Sequence, residues 1–160
     1  MGLTSIQNRL LSTSKSAARE LGVNGHSLTG LIGILTACDF LDLIWQPTTD
    51  YEAICSIGTR VRIRSRRLPT TKRLIRDARM KSYGMRLGYE FDWGVFVELD
   101  RNFEVVNIWA RPKYSIMDLE DAGEITRYVR VRQFTSGAMC IQEKLESEFS
   151  LDDLQIETTI

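Results

Sequence analysis

The stretch DYEAICSIGTRVRIRSRR, residues 50–67, contains two β-like runs around a Ser56–Gly58 turn. Residues YEAIC precede the turn and residues RVRIRS follow it, and two such runs joined by a short glycine-containing segment are typical of a hairpin. In a strand, alternate side chains share a face. The pattern therefore predicts that Val61 and Ile63 face a core, and that the arginines between them share the opposite face; these are Arg60, Arg62, Arg64 and Arg66.

This arginine row is unusual because the chain as a whole carries no net charge. Alternate residues on a strand lie roughly 6.5–7 Å apart, which is close to the step between phosphates of a nucleic-acid strand. Like charges on one sheet face repel each other mildly, so a bound anion or acids from elsewhere in the fold would stabilise the row. The alternative is a solvated edge strand whose arginines prevent aggregation.

Charge is also unevenly distributed along the chain. Residues 60–81 contain ten Lys or Arg and one acid, Asp77, whereas residues 143–157 contain six acids and one base, Lys144. A local excess of one charge indicates what kind of partner a region binds, although the zero net charge of the whole chain does not. The sequence predicts phosphate contacts by the following residues: Arg60, Arg62, Arg64, Arg66, Arg67, Lys72, Arg73, Arg76 and Arg79.

Outward from this stretch, the apolar spacing predicts helices over residues 4–21 and 28–44. Gly30 and Gly33 fall in the second helix, where each costs roughly 1 kcal/mol, so we expect close packing at both. Residues 70–82 are typical of a short basic helix or an ordered loop. DWGVFVEL and FEVVNIWA predict a second hairpin joined by residues 100–102. RYVRVRQF is a further strand or the lead-in to a helix, and a last helix is expected from Thr135 or Ser136.

The element order predicts an α/β class of the α+β kind, with helices flanking a central mixed β-sheet. At 160 residues with 43% hydrophobic residues, we expect a single domain over residues 1–160. Its parts are an N-terminal helix (1–26), a core (27–135), and a C-terminal helix with an acidic tail (136–160). No apolar run is long enough for a membrane span or typical of a signal peptide. We expect a cytoplasmic protein whose three cysteines are reduced.

Four segments resemble a small bacterial family of restriction-endonuclease-like proteins of the PD-(D/E)XK superfamily. They are LTGLIGILTACDFLDL, DYEAI, RVRIRSRRL and FDWGVFVELDRNFEVVNIW, within residues 27–135. In that family a Gly-Tyr-Asp-Ala-Ile stretch precedes a Gln-Ile-Lys-x-Arg-Arg strand. The resemblance implies a restriction-endonuclease-like core and a link to defence or mobile-element systems.

The superfamily's chemistry needs acids that hold Mg²⁺ and a lysine that positions the attacking water. By resemblance, Glu52 falls on the family's Asp, Arg62 on its Gln or second acid, and Arg64 on its Lys. Ile34 falls where active relatives often carry a helix Glu. Arginine neither ligates Mg²⁺ nor loses a proton, so the resemblance implies a degraded site in which Glu52 pairs with Arg62 or Arg64.

Three functions follow from these observations. The first is a non-catalytic nuclease-like protein that binds DNA or RNA backbone and needs no cofactor. The second is an active Mg²⁺-dependent nuclease that uses Asp50, Glu52 and Arg64, with Asp50 and Glu52 as metal ligands and help from Asp92 or Glu98. The third is an interaction module whose basic strand binds the acidic tail of another copy, giving a homodimer or larger complex.

Overall fold

The computed structural model describes residues 2–21, 26–68 and 84–141. Its helices are α1 (Ser5–Leu21), α2 (His26–Phe40), α3 (Lys113–Asp121) and α4 (Val131–Thr135). Its strands are β1 (Ile44–Trp45), β2 (Ala53–Ile54), β3 (Arg60–Arg67), β4 (Gly84–Arg86), β5 (Trp93–Leu99), β6 (Val105–Pro112), β7 (Tyr128–Arg130) and β8 (Met139–Cys140). Within these residues, no helix has the length and apolar character needed to cross a membrane.

Six strands form a mixed sheet in the order β1-β2-β3-β5-β6-β8. The pair β3–β5 is parallel and the other neighbouring pairs are antiparallel. Strands β4 and β7 form a separate two-stranded ribbon. The predicted α/β class with a mixed sheet is confirmed. Strand β3 pairs with β5 along its length but with β2 only at Arg60 and Val61, so the edge-strand alternative for the arginine row applies from Arg62 onward.

The two N-terminal helices occur close to where the sequence places them. Helix α1 matches the prediction, but α2 ends at Phe40 rather than at residue 44. Asp42 adopts a positive φ of 52°, and the Leu43 N–H donates to the Cys38 carbonyl over 2.9 Å. This pattern resembles the Schellman closure of a helix, which is usually made by glycine. The apolar periodicity continues through Leu41 and Leu43, so it does not reveal this stop.

Both predicted hairpins are confirmed. Strands β2 and β3 are joined by a turn in which Gly58 has a φ of 87°, a conformation that glycine adopts without steric cost. Strands β5 and β6 are antiparallel, and the Asp100 carboxylate organises their turn by accepting the N–H groups of Asn102 and Glu104. The cause in each case is local turn chemistry between alternating strands.

The C-terminal part of the described chain differs from the prediction. Residues 139–140 do not begin a helix; they form β8, which pairs with Trp109 and Ala110 of β6. Ile141 is fully buried and its N–H donates to the Ile108 carbonyl. Pairing with the open side of β6 therefore overrides the helical spacing. The rest of the predicted last helix, the acidic tail and the basic segment 70–82 lie outside the described residues.

Hydrophobic cores cover both faces of the sheet. Helix α2 packs on one face, where its side chains Ile32 and Leu35 join Val95 and Val97 in a single cluster. The ribbon β4–β7 and helices α3 and α4 cover the opposite face, where Phe96 meets Phe134 edge-on at 4.7 Å between ring centroids. We call these the α2 face and the ribbon face.

Candidate functional site: the arginine row of strand β3

The arginines of β3 alternate with residues that face α2, as predicted. Val61 and Ile63 belong to the cluster on the α2 face, and the Ser65 hydroxyl donates to the Thr29 carbonyl in α2. The alternate arginines therefore lie on the ribbon face. Arg62 and Arg66 are buried there, with 3% and 7% of their surfaces exposed. The row is thus mostly covered, which the strand pattern alone does not reveal.

Arg60, at the start of the row, is paired with Asp92. Its Nε and Nη2 donate to the two carboxylate oxygens over 3.0 and 2.9 Å, and Glu90 lies 3.6 Å from Nη1. This bidentate geometry is the strongest that a guanidinium and a carboxylate make. The hydrogen bond from Arg60 holds the pKa of Asp92 below its ordinary value. The pair is partly exposed, so solvent weakens it.

Arg62 is bound by backbone oxygens and an aromatic ring. Its Nη1 donates to the carbonyls of Asp50 and Thr49 over 2.7 and 3.3 Å. Its guanidinium carbon lies 3.8 Å from the centroid of the Tyr89 ring, a cation–π contact. Burial, and then the charge of Arg64, lower the pKa of Arg62. Its Nε is buried without a hydrogen-bond acceptor.

Arg64 pairs with Glu52, as the sequence hypothesis allowed. Arg64 Nη1 donates to Glu52 Oε1 over 2.9 Å, and the Ile63 backbone N–H donates to Glu52 Oε2 over 2.7 Å. Glu52 is thereby held on both carboxylate oxygens. Its side chain is 14% exposed and that of Arg64 is 32% exposed. Of the two arginines considered as its partner, Arg64 makes the ion pair.

The far end of the row is a buried polar cluster. Arg66 Nη2 donates to Glu98 Oε1 over 2.5 Å, and Asn107 Nδ2 donates to Glu98 Oε2 over 3.2 Å. Glu98 is 1% exposed. Arg67 points toward the α2 side instead, with its guanidinium carbon 5.1 Å from the Phe103 ring centroid.

The acids proposed as metal ligands are not brought together. Glu52 is held by β3, Asp92 by Arg60 and Glu98 by Arg66. Asp50 Oδ1 accepts a long 3.4 Å hydrogen bond from the Glu90 N–H. Among the described residues, no three His, Cys, Asp or Glu side chains group in a way that could hold a metal ion.

Other residues that the sequence singled out lie away from the arginine row or in parts of the chain that the structure does not describe. Ile34, at the position of the family's helix Glu, is partly buried against the cluster of the α2 face. Cys38 and Cys55 are free and buried, and Cys140 is free and half-buried. Burial, with Asp39 and Glu52 nearby, raises the pKa of the Cys38 thiol to about 12. The basic residues Lys72, Arg73, Arg76 and Arg79 fall in the segment that the structure does not describe.

The sequence did not lead us to predict which acid of β5 and its approach pairs with which arginine of β3. Arg60 and Arg66 are six residues apart, as are Asp92 and Glu98. The parallel register pairs Arg66 with Glu98, and at its start the Arg60 backbone N–H and guanidinium bind Asp92. Equal spacing of opposite charges on two strands is a signal for such pairing. The carbonyl partners of Arg62 carry no sequence signal.

No protein-family model matches this sequence. The curated proteins likewise give no significant match.

Proposed function

We propose that this chain is a cytoplasmic, non-catalytic nuclease-like protein with a restriction-endonuclease-like core that binds the backbone of DNA or RNA. It would act alone, as a homodimer, or as a subunit of a defence or mobile-element system. The carrying observation is the state of Glu52. Both of its carboxylate oxygens are occupied, by the Ile63 N–H and by Arg64, at the position where the resembling family holds its metal.

The residues around Glu52 do not fit a divalent cation. Carboxylate and carbonyl oxygens are the ligands that Mg²⁺ uses, and here guanidinium groups take them: Arg64 binds Glu52, and Arg62 binds the carbonyls of Thr49 and Asp50. A unit charge 4 Å from another contributes about 4 kcal/mol at an effective dielectric of 20, so two arginines strongly oppose a dication. Mg²⁺ chemistry is therefore not part of this proposal.

The proposal divides the arginine row into two roles. The buried Arg62 and Arg66 stabilise the fold through internal partners. Arg60 and Arg64 keep 36% and 32% of their side chains exposed, so they remain accessible to a phosphate that competes with their carboxylates. The strand order supports the restriction-endonuclease-like core, because the hairpin β2–β3 is followed by a crossover to the parallel strand β5.

A salt-titrated binding assay with DNA and RNA tests this function. With 6–10 phosphate contacts, affinity should fall by ~10³ or more between 50 and 200 mM salt. The same samples, with EDTA or with Mn²⁺, should show intact nucleic acid. An affinity that does not change with salt concentration would contradict nucleic-acid binding. Mn²⁺-dependent cleavage would support the active-nuclease alternative instead.

Thermal melting tests the metal argument separately. We expect Mg²⁺ or Mn²⁺ to leave the melting temperature of the wild-type protein unchanged, because a ligand raises it only by binding the folded state. The comparison variant is R62Q/R64K, which carries the Gln and Lys of the resembling family. There the carbonyls and Glu52 lose their guanidinium partners, so we expect Mn²⁺ to raise the melting temperature. A clear metal-dependent rise in the wild type would contradict the proposal.

A further inference from the structure

The ribbon formed by β4 and β7 has one buried and one outward face. Its register pairs Gly84 with Arg130, Met85 with Val129, and Arg86 with Tyr128. Met85 and Val129 are both fully buried in the cluster of the ribbon face. Because strand residues alternate, Arg86, Tyr128 and Arg130 share the outward face.

Four arginines gather on this ribbon and its immediate flanks, and we call them the basic ribbon: Arg86, Arg127, Arg130 and Arg132. All four are exposed. Residues 84–87 and 127–132 contain no Asp or Glu, and the ion pairs formed among the described residues involve none of the four. The arginine row of β3 differs from the basic ribbon, because each arginine of the row donates a hydrogen bond to an acceptor within the protein.

The geometry of the outward face suits a chain of phosphates. Arg86 and Arg130 are diagonal neighbours on an antiparallel pair of strands, and the backbone positions of such neighbours are about 7–8 Å apart. This spacing is comparable with the step between phosphates along one nucleic-acid strand. A Cβ placed on Gly84 would lie 2.1 Å from the Val129 carbonyl oxygen and 2.9 Å from atoms of the Tyr128 ring, so this glycine lets both the β7 backbone and the Tyr128 ring lie close to β4. Guanidinium groups bind phosphate in a bidentate manner.

We propose that the basic ribbon is a docking surface for the phosphodiester backbone of a nucleic acid. This inference rests on the proposed function, and it places the principal contacts away from the β3 row. A two-stranded ribbon is narrow enough to enter the major groove of duplex DNA. The ribbon covers the side of the sheet on which Arg60 and Arg64 lie, since a Cβ on Gly94 would meet the Met85 sulfur at 3.0 Å.

The test compares two double variants that each remove two positive charges. R86Q/R130Q alters the basic ribbon, whereas R9Q/R101Q alters exposed arginines in α1 and in the β5–β6 turn. Binding of labelled duplex DNA, single-stranded DNA and single-stranded RNA is followed by fluorescence anisotropy over a salt series. Thermal melting establishes that both variants fold like the wild type, and R127Q/R132Q provides a second ribbon variant.

Loss of two phosphate contacts should reduce the slope of log affinity against log salt by about 1.8 and weaken duplex binding about 10–100-fold near 0.1 M salt. R9Q/R101Q should keep the wild-type slope. A loss shared by duplex and single strands, or confined to one of them, supports the ribbon and identifies the form of nucleic acid that it binds.

Two results would overturn the inference in distinguishable ways. If the wild type binds with a steep salt dependence and the ribbon variants match R9Q/R101Q, the ribbon is not the contact surface while the proposed function stands. If the wild type shows no salt-dependent binding, the proposed function fails and the ribbon with it. A change in solution mass in R86Q/R130Q without a change in binding would assign the ribbon to another protein copy, against the inference.

Discussion

The two faces of the central sheet are both buried, yet they are built from different chemistry. The α2 face is lined by Val61, Ile63, Val95 and Val97, all between 0% and 1% exposed. The ribbon face carries buried charged groups beside its phenylalanines: Arg62, Arg66, Glu98 and Arg111. Alternation of apolar and charged residues usually indicates one dry and one solvated face. Here a second layer covers the charged side.

Arg111 illustrates how the ribbon face accommodates charge without a carboxylate in hydrogen-bonding contact. Its guanidinium donates to the carbonyls of Gln133, Phe134 and Ser115 over 3.0–3.2 Å. These acceptors belong to α3 and α4, so the arginine connects both helices to β6. Burial lowers the pKa of Arg111. A buried guanidinium is thus tolerated where hydrogen-bond acceptors surround it.

The largest expected effect comes from breaking the buried pair on the ribbon face. Glu98→Ala should lower the free energy of unfolding by about 3–5 kcal/mol, because Arg66 would stay buried without its counter-charge. Urea unfolding monitored by circular dichroism measures this. The control variant R66M/E98L removes both charges. Its free energy of unfolding should fall much less, since apolar residues often replace a buried ion pair without cost. A loss below about 1 kcal/mol for Glu98→Ala would contradict this interpretation.

An intermediate effect is expected on the α2 face, where helix and strand approach closely. A Cβ on Gly33 would lie 2.0 Å from the Ser65 Cβ, whereas nothing lies within 4 Å of one on Gly30. Gly33→Ala should therefore cost about 1–3 kcal/mol through overpacking.

Gly30→Ala is the matched control in the same helix and should gain up to about 1 kcal/mol from helix propensity. The double variant G33A/S65G removes the colliding Cβ and should recover part of the loss. Equal stabilities of the two single alanine variants in urea would show that the face is not tightly packed at Gly33.

The smallest effect is expected at the exposed rim of the ribbon face. The hydrogen bond from Arg60 lowers the pKa of Asp92, so the pair stabilises the fold above the unfolded carboxylate pKa of about 3.9. That stability is lost as the pH falls through the lower folded pKa. Because both side chains are over a third exposed, the contribution should stay below about 1 kcal/mol.

Asp92→Asn tests this by comparison with the wild type across pH. The difference in free energy of unfolding between the two proteins should be present near pH 7 and should shrink below pH 4. A difference that stays constant or grows on acidification would mean that Asp92 acts through something other than its charge.

The sequence predicts the long elements well and the short ones poorly. Helix α1 and both hairpins follow from apolar spacing and turn residues, which act locally. The two-residue strands β1 and β8, strand β4 and helix α3 were missed, because their conformations depend on pairing and packing with distant parts of the chain. The segment RYVRVRQF, expected as a strand or as the lead-in to a helix, contains strand β7 and the start of helix α4. Of the two glycines expected at a close approach, Gly33 is confirmed, and the expectation for Gly30 is wrong because its surroundings are open.

The candidate site shows the same division. The shared face of the arginines was predictable, and so was an ion pair of Glu52 with Arg62 or Arg64, since strand alternation and a hairpin bring them together. The burial of Arg62 and Arg66 was not, because it depends on a covering layer whose sequence gives no sign of where it packs. The pairing with Asp92 and Glu98 depends on the register of parallel strands 32 residues apart.

The ends of the sheet bear on how this protein behaves at high concentration. Of the strands that the structure describes, the outermost two are β1 and β8, and each is two residues long. Long unpaired edges recruit strands from neighbouring molecules and seed aggregation, whereas very short edges offer few free backbone groups for this. Strand β2, however, pairs with β3 only at Arg60 and Val61. From Arg62 onward β3 therefore has no partner strand on that side within the described residues, and its arginines there hinder the addition of a strand from another molecule.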